Sequence, residues 1–152
     1  MSEVLGTIRR VVEKTEGHLI SSLQEIQDIY NYLPEEALRA LASELNIPLI
    51  NVYEVATFYK SFSLTPKGKH ICTVCVGTAC HVRGSSKVVD AISSELGIPP
   101  NCTTKDMKFT LETVNCLGCC AIGPVVVMDK SYYGNMNSQK AIQLIKQFEK
   151  EE

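Results

Sequence analysis

Glycine and proline are scarce in this sequence of 152 residues, with 9 and 6 copies, while hydrophobic residues make up 45%. This composition excludes a collagen-like, proline-rich or disordered chain and predicts a globular protein that needs no disulfides to fold. A basic excess is also missing, because 15 Lys and Arg residues stand against 17 Asp and Glu residues, for a net charge of −2. Nucleic acid is therefore not expected as a partner, since its binding relies on Lys and Arg contacts to phosphates.

Long apolar runs are absent as well. No stretch approaches the roughly 20 apolar residues that cross a bilayer, so we expect no direct membrane insertion. The first residues, MSEVLGTIRRVVEK, lack both the apolar core of a secretion signal and the acid-poor character of a transit peptide. These observations predict a cytoplasmic location.

Cysteine, by contrast, is abundant, with seven copies. Seven is odd and the cytoplasm is reducing, so structural disulfides are not expected. Six of the seven form two groups, Cys72, Cys75, Cys80 and Cys116, Cys119, Cys120, while Cys102 stands apart. Cysteines scattered as small buried residues would not segregate in this way, so the grouping indicates a shared site.

Apolar residues at helical spacing predict four short helices in residues 1 to about 62. Pro34 is expected at the first helical position of the third helix, and Asn51 as the N-cap of the fourth. The aromatic run Thr57-Phe58-Tyr59 is expected in the core rather than at a docking edge. The N-terminal half is therefore predicted to be a helical bundle.

After residue 68 the pattern changes to one with βαβββα order. We predict strands at 69–76, 109–115 and 125–129, then a hairpin turn at 130–135 into a fourth strand near Met136. One helix is predicted to begin with Ser85 or Ser86 as its cap, and the last to begin at Asn137 or Ser138. The fold class is thus α+β, with a helical region at 1–64 and an α/β part at 65–152.

Two of the possible cysteine sites depend on C-x2-C spacing. The C-x2-C spacing that a zinc site requires occurs twice, in Cys72 with Cys75 and in Cys116 with Cys119. Strand residues three apart point to opposite faces, however, so Cys72 and Cys75 are expected to diverge. The same pair suggests a redox dithiol, but such dithiols normally lie at a helix N-terminus, where the helix dipole lowers the thiol pKa. Both sites remain as weaker alternatives.

An iron–sulfur cluster is the third possibility. The contiguous bacterial and plant-type ferredoxin spacings fail, because they require cysteine where Thr78 and Arg83 stand. Two separated loops remain, Cys75 to Cys80 and Cys116 to Cys120, each following a predicted strand and containing a glycine. Four thiolates from two such loops can hold a [2Fe–2S] cluster. Spacing alone leaves the choice between Cys119 and Cys120 open.

The segment Asp106-Met-Lys-Phe-Thr110, followed after five residues by Cys116-Leu-Gly-Cys-Cys-Ala-Ile-Gly-Pro124, resembles a known signature. It is that of the thioredoxin-like [2Fe–2S] ferredoxin family, which includes the small subunit of NADH:quinone oxidoreductase and its equivalents in other NAD(P)-linked complexes. The helical segments 23–35 and 52–59 resemble the same family. The resemblance covers roughly residues 15 to 150 and implies a helical bundle followed by a thioredoxin-like [2Fe–2S] domain.

By that resemblance the cluster and metal ligands are Cys75, Cys80, Cys116 and Cys120, a C-x4-C…C-x3-C set. The family usually has a small non-cysteine residue at the position of Cys119, so this sequence departs from the family there. Cys72 and Cys102 match no family ligand and are expected to be a small buried residue and a loop thiol. His81 and Arg83 are candidates to supply hydrogen bonds or positive charge that raise the cluster's potential.

The resemblance also implies an electron-transfer subunit that is not catalytic alone. FMN and NAD(P)H are expected on a partner, a flavin- and NAD(P)-binding iron–sulfur subunit, because this chain has no G-x-G-x-x-G or P-loop motif. A further catalytic subunit, a hydrogenase or similar, is the second expected partner. A soluble, electron-bifurcating NAD(P)-linked hydrogenase is favoured over NADH:quinone oxidoreductase and NAD-dependent formate dehydrogenase. A zinc-stabilised interaction module without redox role is the alternative from another class.

Overall fold

The computed structural model describes residues 2–150 and contains two compact units, which divide in the sequence between Pro66 and Lys67. The first unit is helical, as predicted. Its helices are α1 (Ser2–Lys14), α2 (Leu19–Tyr30), α3 (Glu35–Glu44) and α4 (Leu49–Phe58). The apolar stripes of these helices form one core, whose fully buried members include Ile8, Leu23, Ile26, Leu38, Leu41 and Val52. Among residues 2–150, no helix is long and apolar enough to cross a lipid bilayer.

Three details of this helical unit differ from the sequence predictions. Pro34 is the N-cap of α3 rather than its first helical residue, and Pro48 rather than Asn51 is the N-cap of α4. The two prolines have ψ of 141° and 138°, which is not helical, so each helix begins at the residue after its proline. Helix α3 thus begins one residue later than predicted, and α4 begins earlier than predicted. The 57–59 run is not core: Phe58 is 79% exposed and packs edge-on against Tyr59, because Ala56 is the last residue of α4 that the apolar cluster contains.

The second unit is a mixed sheet with helices. In chain order it contains β1 (His70–Cys75), α5 (Thr78–Val82), α6 (Ser85–Leu96), β2 (Cys102–Thr103), β3 (Phe109–Val114), a 3-10 turn (Cys120–Ile122), β4 (Val126–Met128), β5 (Ser131–Tyr133) and α7 (Ser138–Lys150). The strand order is β2-β3-β1-β4-β5, and β1 and β3 are parallel while the other neighbours are antiparallel. This arrangement confirms the α+β class.

The two faces of β1 belong to different apolar clusters. Cys72 and Val74 are fully buried on the face covered by α6 and α7, whereas Cys75 belongs to a smaller cluster with Cys80 and Val125. Successive strand residues alternate between faces, so residues 72 and 75 point apart. The predicted divergence of Cys72 from Cys75 is therefore confirmed. Because β1 and β3 are parallel, their C-terminal ends lie side by side, and Cys75 pairs with Val114.

Several local predictions in this unit are wrong. The N-cap of α6 is Gly84, with φ of +98°, and Ser85 lies inside the helix with a buried hydroxyl that has no hydrogen-bond partner. The hairpin turn is at Asp129-Lys130, where both residues have positive φ as a tight two-residue turn requires. The fourth main strand is thus β5, while Met136 is a buried core residue. Cys102 is exposed as expected but lies in the short strand β2.

Candidate metal centre

The first cysteine loop folds back on itself at the end of β1. Cys75 is the last residue of the strand, and the five-residue helix α5 then carries Cys80 back beside it, so that both thiols belong to one small apolar cluster. Both are buried, at 3% and 2% exposure. Burial is the main reason that the pKa of Cys80 is raised, and the neighbouring Cys75 thiol adds to the effect. These two thiols form the buried half of the site.

The second cysteine loop follows β3 and is more open. Cys116 and Cys120 are exposed, and Cys120 begins the 3-10 turn. Gly118, with φ of +73°, donates its backbone N–H to the Cys116 sulfur over 3.2 Å. Backbone N–H groups that face sulfur in this way tune the metal centres that such sulfurs bind. Cys119 is half-buried against the cluster that contains Cys75 and Cys80, and its thiol donates to the Leu117 carbonyl over 3.5 Å.

Close backbone contacts hold the two loops together at one edge of the sheet. A Cβ atom placed on Gly77 would lie 2.2 Å from the Asn115 carbonyl oxygen, and one placed on Gly123 would lie 2.9 Å from the Cys80 sulfur. Only glycine allows such approaches. Arg83, the residue after α5, donates through Nη1 to the Cys120 carbonyl oxygen over 2.9 Å. The loops around the two cysteine groups are thus in direct contact.

The four predicted ligands fit a [2Fe–2S] cluster on this geometry. Cys75 and Cys80 belong to one apolar cluster. A Cβ on Gly123 would lie 2.9 Å from the Cys80 sulfur and 3.4 Å from the Cys120 carbonyl oxygen, and one on Gly77 would lie 3.5 Å from Cα of Cys116. Within residues 2–150, no three His, Cys, Asp or Glu side chains are grouped closely enough to hold a single metal ion. A [2Fe–2S] cluster does not require such a group, because each of its two irons takes two protein ligands.

Cys72 does not join this site. It is fully buried on the opposite face of the sheet, and burial, followed by the charge of Asp129, raises its pKa to about 12. A catalytic dithiol needs the opposite shift, because the thiolate is the nucleophile. The structure therefore favours neither a zinc site nor a redox dithiol that includes Cys72.

Sequence reasoning missed the two glycine contacts and the contact of Arg83 with the second loop. At Gly77 and Gly123 the sequence shows the glycine but not the backbone or sulfur that lies against it. Arg83 reaches a residue 37 positions away, and no local pattern carries that information. His81 is exposed on α5 next to Cys80.

Comparison with known proteins gives consistent results. The family model for the thioredoxin-like [2Fe–2S] ferredoxin matches residues 5–149. The NADP-reducing hydrogenase subunit HndA of Solidesulfovibrio fructosivorans is 37% identical over 146 residues, which cover 96% of this chain and 85% of that protein. An NADH-quinone oxidoreductase subunit of Rickettsia typhi is 41% identical over 117 residues, or 77% of this chain and 69% of that protein.

The fold is also similar to one chain of the NAD+-reducing [NiFe]-hydrogenase whose crystal structure is known in the air-oxidized state. The TM-score is 0.75 over 85% of this chain and 23% of that chain, at 18% sequence identity. This similarity extends over most of the chain and concerns the fold alone.

Proposed function

Because the chain belongs to the thioredoxin-like [2Fe–2S] ferredoxin family, we propose that Cys75, Cys80, Cys116 and Cys120 are the ligands of its cluster. Family membership confirms the resemblance stated from the sequence, the thioredoxin-like fold and the [2Fe–2S] cofactor. The chain is an electron-transfer subunit of an NAD(P)H-dependent oxidoreductase complex, and it is not catalytic alone.

The observation that carries the ligand assignment is the meeting of the two cysteine loops at one sheet edge. Cys75 and Cys80 bind from the buried side, where Val125 and the partly buried Val114 and Leu117 exclude water. Cys116 and Cys120 bind from the exposed side. When bound, a [2Fe–2S] cluster supplies reversible one-electron transfer. The exposed side, with Cys116 and Cys120, is the face we assign to the exchange of electrons with a partner.

We assign the chain to a hydrogenase complex in preference to the alternatives. HndA aligns with 96% of this chain and 85% of its own length, against 77% and 69% for the NADH-quinone oxidoreductase relative from Rickettsia typhi. The proposed partners are a flavin- and NAD(P)-binding iron–sulfur subunit, which carries FMN and NAD(P)H, and a hydrogenase subunit. A cytoplasmic location remains part of this proposal.

Mass spectrometry of the subunits that co-purify with the native protein tests the assignment to a hydrogenase complex. A quinone reductase or formate dehydrogenase partner would refute that assignment.

Iron and sulfide analysis, with EPR of the dithionite-reduced protein, tests the cofactor and separates it from a zinc module. We expect two irons, two sulfides and about one rhombic signal per chain. Stoichiometric zinc without that signal would refute the assignment.

Two matched variants test the ligand set. Cys120→Ala is expected to lose the cluster, because it removes one of four thiolates, while Cys119→Ala is expected to keep it. The reverse result would show that Cys119 rather than Cys120 is the fourth ligand. Absorbance and EPR per chain report the cluster content of both variants, and circular dichroism verifies that both are folded.

A further inference from the structure

We propose that Arg83 is a positioning residue of the cluster site: its guanidinium fixes the Cys120 turn against the helix that carries Cys80 and places a positive charge beside the cluster. The proposal rests on the proposed function, because it takes Cys80 and Cys120 as ligands. Arg83 follows α5 directly, three residues after Cys80. Its backbone is thus held by the first ligand loop while its side chain reaches the second.

The side chain of Arg83 binds three backbone carbonyls of the second loop. Nη1 donates to the carbonyl oxygens of Cys120 at 2.9 Å, Ala121 at 3.2 Å and Gly123 at 3.4 Å. These carbonyls surround the 3-10 turn that begins at Cys120. The Cys120 carbonyl oxygen also accepts the Gly123 N–H within this turn at 3.3 Å, and Arg83 adds a cationic donor to it and to the carbonyls that follow. Arg83 therefore ties the backbone that carries Cys120 to the end of α5.

This contact is attractive, whereas the contact between Gly123 and Cys80 is steric. A Cβ on Gly123 would lie 2.9 Å from the Cys80 sulfur, so glycine at this position limits only how close the loops can come. A hydrogen bond from a charged donor is stronger than a neutral one, and here it acts between the two ligand-bearing segments. Loss of the contact removes the hydrogen bonds that join the Cys120 turn to the end of α5 and so weakens the link between Cys120 and Cys80.

The charge of Arg83 has a second consequence. A [2Fe–2S] cluster with four thiolates carries a formal charge of about −2 when oxidised and about −3 when reduced. A nearby cation favours the more negative, reduced state and so raises the reduction potential. Because Arg83 is exposed, salt screens this effect in part, and the potential is expected to depend on ionic strength.

The test compares Arg83→Gln and Arg83→Lys with the wild-type holoprotein. Arg83→Gln removes the charge and the three-carbonyl contact, so we expect a lower midpoint potential in an EPR-monitored titration and loss of the cluster to excess chelator at roughly ten times the wild-type rate. Arg83→Lys keeps the charge, so its potential is expected to remain close to wild type and its loss rate to lie between the other two. The control is Arg39→Gln, which removes an equal charge from an exposed Glu35 ion pair on α3 and should change neither quantity.

The outcomes are distinct. A wild-type potential and loss rate in Arg83→Gln would overturn the proposal, as would a faster loss without any change in potential. A potential lowered equally in Arg39→Gln would overturn it too, because net charge alone would then be the cause. If Arg83→Gln does not assemble the cluster, restoration of assembly and of wild-type potential in Arg83→Lys supports the proposal, and failure of both overturns it. A wild-type protein without the EPR signal would refute the proposed function instead.

Discussion

Gly77→Ala should move the two cysteine loops of the cluster site apart without altering any of the four proposed ligands. The backbone of Gly77 has φ of −60° and ψ of 161°, a conformation that alanine adopts freely, so no backbone strain is added. The new Cβ would lie 2.2 Å from the Asn115 carbonyl oxygen, whereas ordinary contacts begin at 3.4 Å. The two backbones must therefore move apart by about 1 Å.

The clash is expected to lower both the stability of the protein and its cluster content. Overpacking of this kind costs about 1–3 kcal/mol, which in a domain of fewer than 100 residues lowers Tm by roughly 4–8 °C per kcal/mol. Gly77 lies between Cys75 and Cys80, and Asn115 precedes Cys116, so the separation falls between the two ligand pairs. We expect a lower Tm by calorimetry and a reduced cluster content by absorbance and EPR.

Gly97→Ala is the control for stability. Gly97 has φ of +65° with open space around its Cβ position, at the end of α6, so alanine there costs about 1–2 kcal/mol through backbone strain alone. We expect a lower Tm with full cluster content. The reasoning is refuted if Gly77→Ala retains the wild-type cluster content and Tm, or if Gly97→Ala loses as much cluster as Gly77→Ala.

Two further predictions concern thiol chemistry. In the folded protein Cys102 should react quickly with an alkylating reagent, and Cys72 should react only after unfolding. The reason is that Cys102 is exposed, while Cys72 is fully buried and has a pKa of about 12. Mass mapping of labelled peptides checks this prediction, and early labelling of Cys72 would contradict it. Burial also raises the pKa of Cys80, so this thiol is protonated at neutral pH in the cluster-free protein and must lose its proton to bind iron. Cluster assembly should therefore weaken as the pH falls and strengthen as it rises toward the pKa of Cys80, and a yield independent of pH would contradict this.

Periodic patterns in the sequence account for the large elements. The stripe of Ile8 and Val11 in α1, and that of Leu38 and Leu41 in α3, bury the faces that helical spacing predicts. The opposite directions of Cys72 and Cys75 likewise follow from strand alternation alone, and the structure confirms them. Such features depend on residues a few positions apart, so the sequence contains enough information to predict them.

Features that depend on distant contacts could not be predicted. Helix α5 has five residues, too few to be stable in isolation, and it forms where Cys80 is buried against Cys75 and Val125. The turn at Asp129-Lys130 lacks the Asn-Gly or Asp-Gly pair that marks tight hairpins, so the sequence pattern favours a later turn that extends to Gly134-Asn135. Its two positive φ angles are imposed by the pairing of β4 with β5.

Neither spacing nor backbone geometry decides between Cys119 and Cys120. Both thiols satisfy a two-loop cluster on spacing, but Cys119 donates to the Leu117 carbonyl and packs into the apolar cluster. Cys120 begins the turn whose carbonyl Arg83 holds, so its backbone is tied to the end of the helix that carries Cys80. Cys119 reaches the same neighbourhood through its side chain, which packs against the cluster of Cys75 and Cys80. Because both residues lie beside the first loop, the proposal of Cys120 as the fourth ligand follows from the C-x3-C motif of the family, and the Cys119→Ala and Cys120→Ala variants decide between them.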